Sequence, residues 1–213
     1  MKRILLILVL AAVSCYDDDS TFIESNDTAH NTSKLTTNIK SISLHDASYD
    51  DIIDNSSCFS LEFPYQVSVN SEIRTINSVE DINAIDENDE LEIIYPVSAV
   101  FYNYEKHQIT SSAEFDLIAN TCEEDFDITA HSCLDIQYPV AVKMFNQVGN
   151  DFHTMNVGHD QALFTLMDNL HDTDVYEIDY PILLNDHSTG TVESINSNLE
   201  FETIFDSTSV DCQ

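Results

Sequence analysis

The 213-residue sequence contains few glycines, none of the common zinc-binding spacings and no run of apolar residues long enough to cross a membrane. Its three glycines, Gly149, Gly158 and Gly190, are widely separated. A phosphate-binding loop, a dinucleotide-binding fingerprint and a nucleophile elbow each need at least two closely spaced glycines. The spacings His-Glu-x-x-His and Cys-x-x-Cys, which mark many zinc sites, do not occur either. The sequence therefore predicts no cofactor, no metal site and no catalytic residue.

Basic side chains are also scarce. Seven lysines and arginines face 39 aspartates and glutamates, so the formal net charge is −32 at pH 7. Proteins that bind nucleic acid neutralise phosphates with lysine and arginine, so nucleic acid is excluded as a partner. The excess negative charge is typical of a soluble surface in a salty medium, although cations or a basic partner remain possible ligands. The run Asp86-Glu87-Asn88-Asp89-Glu90 is either a solvated connector or a Ca²⁺ site without the EF-hand spacing.

The N-terminus has the pattern of an export signal. Lys2 and Arg3 precede a ten-residue apolar run, Ile4–Val13, which is too short to cross a hydrocarbon core of about 30 Å as a helix. Ser14 and Cys15 follow directly, and this junction resembles a bacterial lipobox. We expect residues 1–14 to be removed and Cys15 to be lipidated, which would anchor the protein firmly because a lipobox cysteine carries several acyl chains.

All four prolines follow an aromatic residue within a stretch of alternating apolar residues. The pairs are Phe63-Pro64, Tyr95-Pro96, Tyr138-Pro139 and Tyr180-Pro181. Alternation with period two predicts a strand with one buried face. Because proline has no N–H for the strand ladder, each of these strands should lie at a sheet edge or carry a bulge.

The segment after each proline strand also repeats. A polar turn and a shorter strand come next, and then a helix that begins near Ser78, Ser111, Gly158 or Ser197. Three of these starts resemble capping boxes. The pattern predicts four ββα units as a tandem duplication, giving an α+β fold with antiparallel sheets and helices on one face. Residues 15–57 are polar, and we expect a flexible, lipid-anchored tether, with a weak apolar patch of Ile39, Ile42 and Leu44 as its one candidate for docking on the folded domain.

Four cysteines remain after Cys15, namely Cys58, Cys122, Cys133 and Cys212. An even number in an exported chain indicates two disulfides, for which three pairings are possible. The repeat places these cysteines at the ends of two Cys-ββα-ββα-Cys modules, 58–122 and 133–212. It therefore favours the pairs Cys58–Cys122 and Cys133–Cys212, with four reduced thiols as the alternative.

A few further side chains are candidates for binding. Tyr102 and Tyr104 flank a predicted hairpin turn, where aromatic rings either bind sugars or proteins or pack on the hairpin itself. His153 and His159 lie close enough in sequence to meet across a turn, with His131 as a third candidate, but isolated surface histidines are the commoner explanation.

The lipobox, the residues Asp17, Asp18 and Asp19 and the repeated cysteine-to-proline spacing together resemble surface lipoproteins of Bacteroidetes with aromatic-Pro-Val strand repeats. That resemblance covers the signal and residues 58–212, and the activity of the group is unknown. It implies an outer-membrane lipoprotein and favours the cell surface over the periplasmic face as its location. We expect a non-enzymatic binding or structural module whose partners are the membrane, through the lipid anchor, and a glycan or surface protein. The alternative is an extracytoplasmic hydrolase or metal-dependent enzyme that uses scattered Asp, Glu and His residues.

Overall fold

The computed structural model describes residues 25–121, 130–146, 149 and 151–208. Within these ranges the chain is a mixed α+β protein with antiparallel sheets and six helices, as expected from the sequence. Cys15 and the signal segment lie outside the described residues, and so do Cys122 and Cys212.

The N-terminal described segment is folded, so the prediction of a flexible tether is wrong for residues 25–57. It forms β1 (Thr28–His30), α1 (Lys34–Ile42) and α2 (Asp51–Asp54). In α1 the side chains of Leu35, Ile39 and Ile42 are at most 6% exposed, and the helix packs on the second module. Ile39 and Ile42 belong to the apolar patch noted in the sequence, and with Leu35 their spacing of four and three residues gives the helix an apolar stripe.

The first module follows in the order β2 (Phe59–Leu61), β3 (Tyr65–Val69), β4 (Glu72–Ile76), α3 (Val79–Ile82), β5 (Leu91–Ile94), β6 (Val97–Phe101), β7 (Lys106–Ile109) and α4 (Ser112–Thr121). The second module contains β8 (Leu134–Gln137), β9 (Val140–Asn146), β10 (Asp151–Val157), α5 (Asp160–Asp168), β11 (Asp174–Ile178), β12 (Ile182–Asp186), β13 (Thr191–Ile195) and α6 (Asn198–Ser207).

Each aromatic–proline pair separates two strands, so the predicted long strands are not continuous. All four of these peptide bonds are cis. In the first module β2 pairs with β6 in a sheet of order β2-β6-β7, while β3 and β5 pair in a sheet of order β4-β3-β5. The chain thus changes sheets at each proline, where the missing N–H interrupts the ladder. Each unit contains three strands before its helix, rather than the two that were predicted.

The same pairing occurs in the second module. There β8 pairs with β12 in a sheet of order β13-β12-β8, and β9 pairs with β11 in a four-stranded sheet to which β1 adds. Each module encloses its own apolar core, and the second core includes the apolar stripe of α1. The chain from α1 to α2 therefore runs from the core of the second module to that of the first.

Helix starts agree in part with the predicted capping boxes. Ser111 Oγ and Ser197 Oγ accept hydrogen bonds from the backbone N–H groups of Glu114 and Glu200, at 3.3 and 3.2 Å. Ser78 makes no such bond. In the third unit the N-cap is His159, whose Nδ1 accepts from the N–H of Ala162 at 3.3 Å. This histidine has a local structural role that its side-chain type alone did not indicate.

Candidate functional site

A cavity of about 640 Å³ lies where the two modules meet. Its walls come from the segment between α1 and α2, the turn between β6 and β7, the start of β8, the first residue of α5 and the end of β12. Ligand sites in proteins have volumes of this order and often lie between domains. The cavity is therefore the candidate site, and its lining includes both tyrosines singled out from the sequence.

Tyr102 and Tyr104 reach from the β6–β7 turn to the segment that joins the modules. The hydroxyl of Tyr102 donates to the carbonyl of Ser57, and the hydroxyl of Tyr104 donates to that of Ser43 at 2.9 Å. The Tyr104 ring lies 5.8 Å from that of Phe164 on α5, measured between centroids. Burial raises the pKa of Tyr104, so its hydroxyl stays protonated as a donor.

The backbone of Tyr104 has φ = 65°, in the left-handed region that bulky residues rarely adopt. A non-glycine residue whose backbone adopts this conformation needs surrounding contacts to hold it there, and such residues are common at binding sites. Here the hydrogen bond to Ser43 and the contact with Phe164 supply those contacts. The turn is thereby fixed with both tyrosines at the cavity.

His45 belongs to the first wall of the cavity. Its Nε2 is hydrogen-bonded to Ser60 Oγ at 2.7 Å, and its backbone N–H donates to the carbonyl of Tyr102 at 2.9 Å. Tyr49 donates to the same Ser60 hydroxyl at 2.9 Å. Burial lowers the pKa of His45, which favours the neutral ring. This network ties the linking segment to β2 of the first module.

Two carboxylates of the cavity lining come from the second module. Asp135 on β8 lies 3.2 Å from His187, between Oδ2 and Nε2. Asp160, the first residue of α5, accepts a hydrogen bond of 2.6 Å from the hydroxyl of Tyr138. Burial raises the pKa of Asp160, which indicates that this carboxyl is held in a partly dehydrated position.

His131 is also among the residues that line the cavity, and it is only 3% exposed. Neither ring nitrogen has a hydrogen-bond partner among the described residues, although the ring lies 4.5 Å from that of Phe205. Buried polar atoms are almost always hydrogen-bonded, so an exception at a cavity needs an explanation. The sequence had grouped His131 with His153 and His159. Within the described ranges, no group of three His, Cys, Asp or Glu residues is placed to hold a metal ion.

A second polar cluster is formed by the two ends of α2, and its residues do not line the cavity. Asp50 and Asp54 are 0% and 3% exposed, and one oxygen of each has no partner in the described part of the chain. Burial raises the pKa of Asp50 to about 7 and that of Asp54 to about 9. Asp50 also accepts a hydrogen bond of 2.7 Å from the N–H of Leu61. Both carboxyls lie in the segment predicted as a tether, where nothing in the local sequence suggested burial.

The remaining candidates from the sequence have clear positions. Cys58 and Cys133 are buried, and each is disulfide-bonded. Their predicted partners lie outside the described residues, so the pairing stays a prediction. The acidic connector at 86–90 is hydrogen-bonded within itself, since Asp89 accepts from the N–H of Asp86 and Asp86 accepts from Asn88.

The two tyrosines of the site and His131 were among the candidates from the sequence, whereas four further lining residues were not: His45, Asp135, Asp160 and His187. These four residues belong to separate segments, and only the packing of the modules brings them together. Comparison with family models, curated proteins and solved structures finds no match to this chain. No helix in the described ranges is both long and apolar enough to cross a membrane.

Proposed function

We propose that this chain is a lipid-anchored protein of the outer membrane, exposed at the cell surface, and that it acts as a non-enzymatic binding module. The observation that carries the binding function is the cavity between the modules, whose lining combines tyrosines with hydrogen-bonding side chains. Aromatic surfaces combined with a few fixed polar groups are the usual chemistry of small-ligand and sugar sites. The ligand class that fits is a small polar molecule or the end of a glycan.

The test of binding is an array of surface glycans probed with the mature protein. Tyr102→Ala removes a ring from the cavity lining, and Phe152→Ala serves as the control because this aromatic residue is 49% exposed and does not line the cavity. We expect a glycan signal that the first substitution removes and the second leaves unchanged. Equal signals from both variants would rule out the cavity as the site.

Anchoring and location rest on Cys15 and the acidic residues after it. The Cys15→Ala variant should lose labelling by radioactive palmitate and leave the membrane fraction, since the acyl chains supply the membrane affinity. Protease treatment of intact cells should degrade the wild-type protein. Protection of the protein in intact cells, with degradation only after lysis, would instead favour a periplasmic face.

We also propose that the two modules are a tandem duplication, each closed by a disulfide, Cys58–Cys122 and Cys133–Cys212. The recurrence of the same strand pairing in both modules supports the duplication. Peptide mapping of the unreduced protein should find these two linked peptides. A linked pair that joins the two modules would contradict the proposed pairing.

A second candidate is a hydrolase in which Asp135 orients His187 as a general base. The 3.2 Å contact between these side chains at the cavity is the observation in its favour. Release of reducing sugar or of an ester product, abolished by His187→Gln, would support this activity. Tight glycan binding without turnover would favour the binding module.

A further inference from the structure

The chain between α1 and the first module is held at both ends. At one end the backbone N–H of His45 donates to the carbonyl of Tyr102 at 2.9 Å, and at the other end Cys58 is disulfide-bonded. Residues 46–57 lie between these points and are called the strap below. Several of them line the cavity, and they include α2. A helix of four residues is too short to be stable alone, so the position of the strap depends on its contacts with the first module.

The middle of the strap is held against β2 by polar contacts. Asp50 Oδ2 accepts a hydrogen bond from the N–H of Leu61 at 2.7 Å, and the hydroxyl of Tyr49 donates to Ser60 Oγ at 2.9 Å. Ile53 adds a buried apolar contact with the first core. The attachment of α2 therefore includes a carboxyl that is itself fully buried.

Two carboxyls at the ends of α2 share this buried setting. Each of Asp50 and Asp54 uses one oxygen to accept a backbone N–H, from Leu61 or from Ser56, while its other oxygen is buried without a partner in the described residues. The hydroxyl of Tyr65 on β3 is buried and unpartnered in the same way. A buried charge without a partner is very costly, so the geometry fits neutral carboxyls in which one oxygen accepts and the other carries the proton.

The surroundings of the pair supply no compensating positive charge. The titratable groups on its own segment and on the strands packed against α2 are His45, Asp46, Tyr49, Asp51, Tyr65 and Glu92. Burial lowers the pKa of His45 and raises the pKa of both tyrosines, so these three stay neutral near pH 7. The three acidic groups disfavour a further negative charge. Glu92 is the exposed one on β5.

We propose that pH controls the strap, which docks on the first module while Asp50 and Asp54 are neutral and is released when these carboxyls are charged. Released carboxylates are hydrated, whereas docked carboxylates would be two like charges in a buried site. Release withdraws Tyr49 and Ser57 from the cavity lining. The cavity is thus complete in a mildly acidic medium and incomplete in an alkaline one. This effect on ligand binding rests on the proposed binding function.

Protons bound by the docked strap set the direction of the response. The docked carboxyls of Asp50 and Asp54 keep their protons up to pKa values of about 7 and about 9, whereas the ordinary value is 3.8. Raising the pH between these limits therefore favours release. The equilibrium constant for release rises about tenfold per pH unit for each carboxyl that is neutral when docked and charged when released. Both carboxyls contribute below pH 7, and Asp54 alone contributes above it.

Amide hydrogen exchange of the mature protein, measured at several pH values from about 5 to about 8, tests the release. The reporters are the N–H groups of Ile53 and Asn55, which donate to carbonyls of the α2 turn, and that of Leu61, which donates to Asp50. Relative to the exchange rate of an unfolded peptide, their protection should fall by at least about tenfold per pH unit. Amides of β3 exchange only when the module unfolds, so their protection should be higher at every pH.

Matched variants assign the effect to the two carboxyls. The double variant Asp50→Asn and Asp54→Asn keeps the accepting oxygens but cannot be charged, so the protection of its strap should not change with pH. Glu92→Gln is the control, because it removes one exposed negative charge from β5, which packs against α2. It should keep the pH dependence of the wild type. If the double variant does not fold, Asp54→Asn alone decides, since it should remove the fall above pH 7, where Asp50 is already charged.

Three results of the exchange experiment would overturn the proposal. The first is protection of the wild-type strap that stays constant with pH. The second is equal protection in α2 and β3, because the whole module would then open together. The third is a fall that Glu92→Gln removes as fully as the double variant does, which would assign the effect to general charge repulsion.

Binding gives a separate readout. Where the array finds a glycan, its binding should weaken from about pH 6 to about pH 8 in the wild type but not in the double variant. Binding that does not change with pH while the strap opens would overturn the control of the cavity. Amide exchange needs no ligand, so failure of every glycan to bind would overturn the binding function and leave the release of the strap to be decided by exchange.

Discussion

The buried carboxyl of Asp54 should make the protein less stable as the pH rises. Its pKa in the folded state is about 9, compared with an ordinary value of 3.8, because burial and the neighbouring Asp50 both disfavour the charged form. Between these two values the folded state binds a proton that the unfolded state has released. The free energy of unfolding therefore falls as the pH rises through this window, by up to about 1.4 kcal/mol per pH unit.

The perturbation is Asp54→Asn, which keeps an oxygen to accept the 3.1 Å hydrogen bond from the N–H of Ser56 and removes the titration. From pH 5 to pH 8 the wild type should lose up to about 4 kcal/mol more than the variant, by the same linkage. Asp50, with a pKa of about 7, adds to the loss in the lower part of this range. The stability of the variant relative to the wild type should therefore increase steadily from pH 5 to pH 8.

Urea unfolding at several pH values, followed by circular dichroism, measures the difference. Asp116→Asn is the control, since it removes one charge from an exposed helix position and so reports general repulsion in this acidic chain. If the curve for Asp54→Asn runs parallel to that of the wild type from pH 5 to pH 8, the carboxyl is not buried in the neutral form and the reasoning is refuted.

Three further predictions follow from the described contacts. Ile39→Ala should lower the free energy of unfolding by about 2–5 kcal/mol because Ile39 is fully buried. The control Thr37→Ala, on the exposed side of α1, should have little effect. Equally small effects of both substitutions in urea unfolding would support the flexible tether instead. The wild-type protein should lose free energy of unfolding as the pH falls below about 6.5, because the lowered pKa of His45 means that the unfolded state binds the proton first. His45→Gln should make this loss smaller. A larger loss in the variant would show that the histidine is charged in the folded state. Lys143→Ala should change the melting temperature very little, because both partners of its ion pair with Asp179 are 52% exposed, and a drop of many degrees would contradict that view.

The sequence predicted the parts of the fold that depend on local pattern. Alternating apolar residues located the strands around each proline, and the serine-to-acid spacing located the starts of α4 and α6. Local pattern also has limits. It treated Leu61 and Tyr65 as members of one strand, whereas the chain leaves one sheet after Leu61 and enters another at Tyr65. Which sheet a strand joins depends on partners distant in sequence, and no alternation pattern encodes that choice.

The N-terminal segment shows how composition can mislead. Residues 25–57 average as polar, yet three apolar side chains on one face of α1 complete the second core. Buried apolar area contributes about 1.5–3 kcal/mol for each such side chain, so a helix needs only a few of them in the right positions to dock. The composition of a segment averages the polarity of all its residues, whereas docking of a helix depends on the spacing of its few apolar residues.

That docking also explains why the site escaped prediction. The segment that leaves α1 must cross from one core to the other, and in crossing it carries His45 and Asp46 past the β6–β7 turn and the start of β8. The cavity is therefore a consequence of the connection between the modules rather than of either module alone. Separating the modules would leave Tyr104 without its contacts to Ser43 and Phe164 and would open one wall of the site. Tyr104→Ala should for this reason reduce the free energy of binding of any cavity ligand by more than it reduces the free energy of unfolding of the separate cores. A variant that unfolds readily but still binds would show that the site does not depend on this junction.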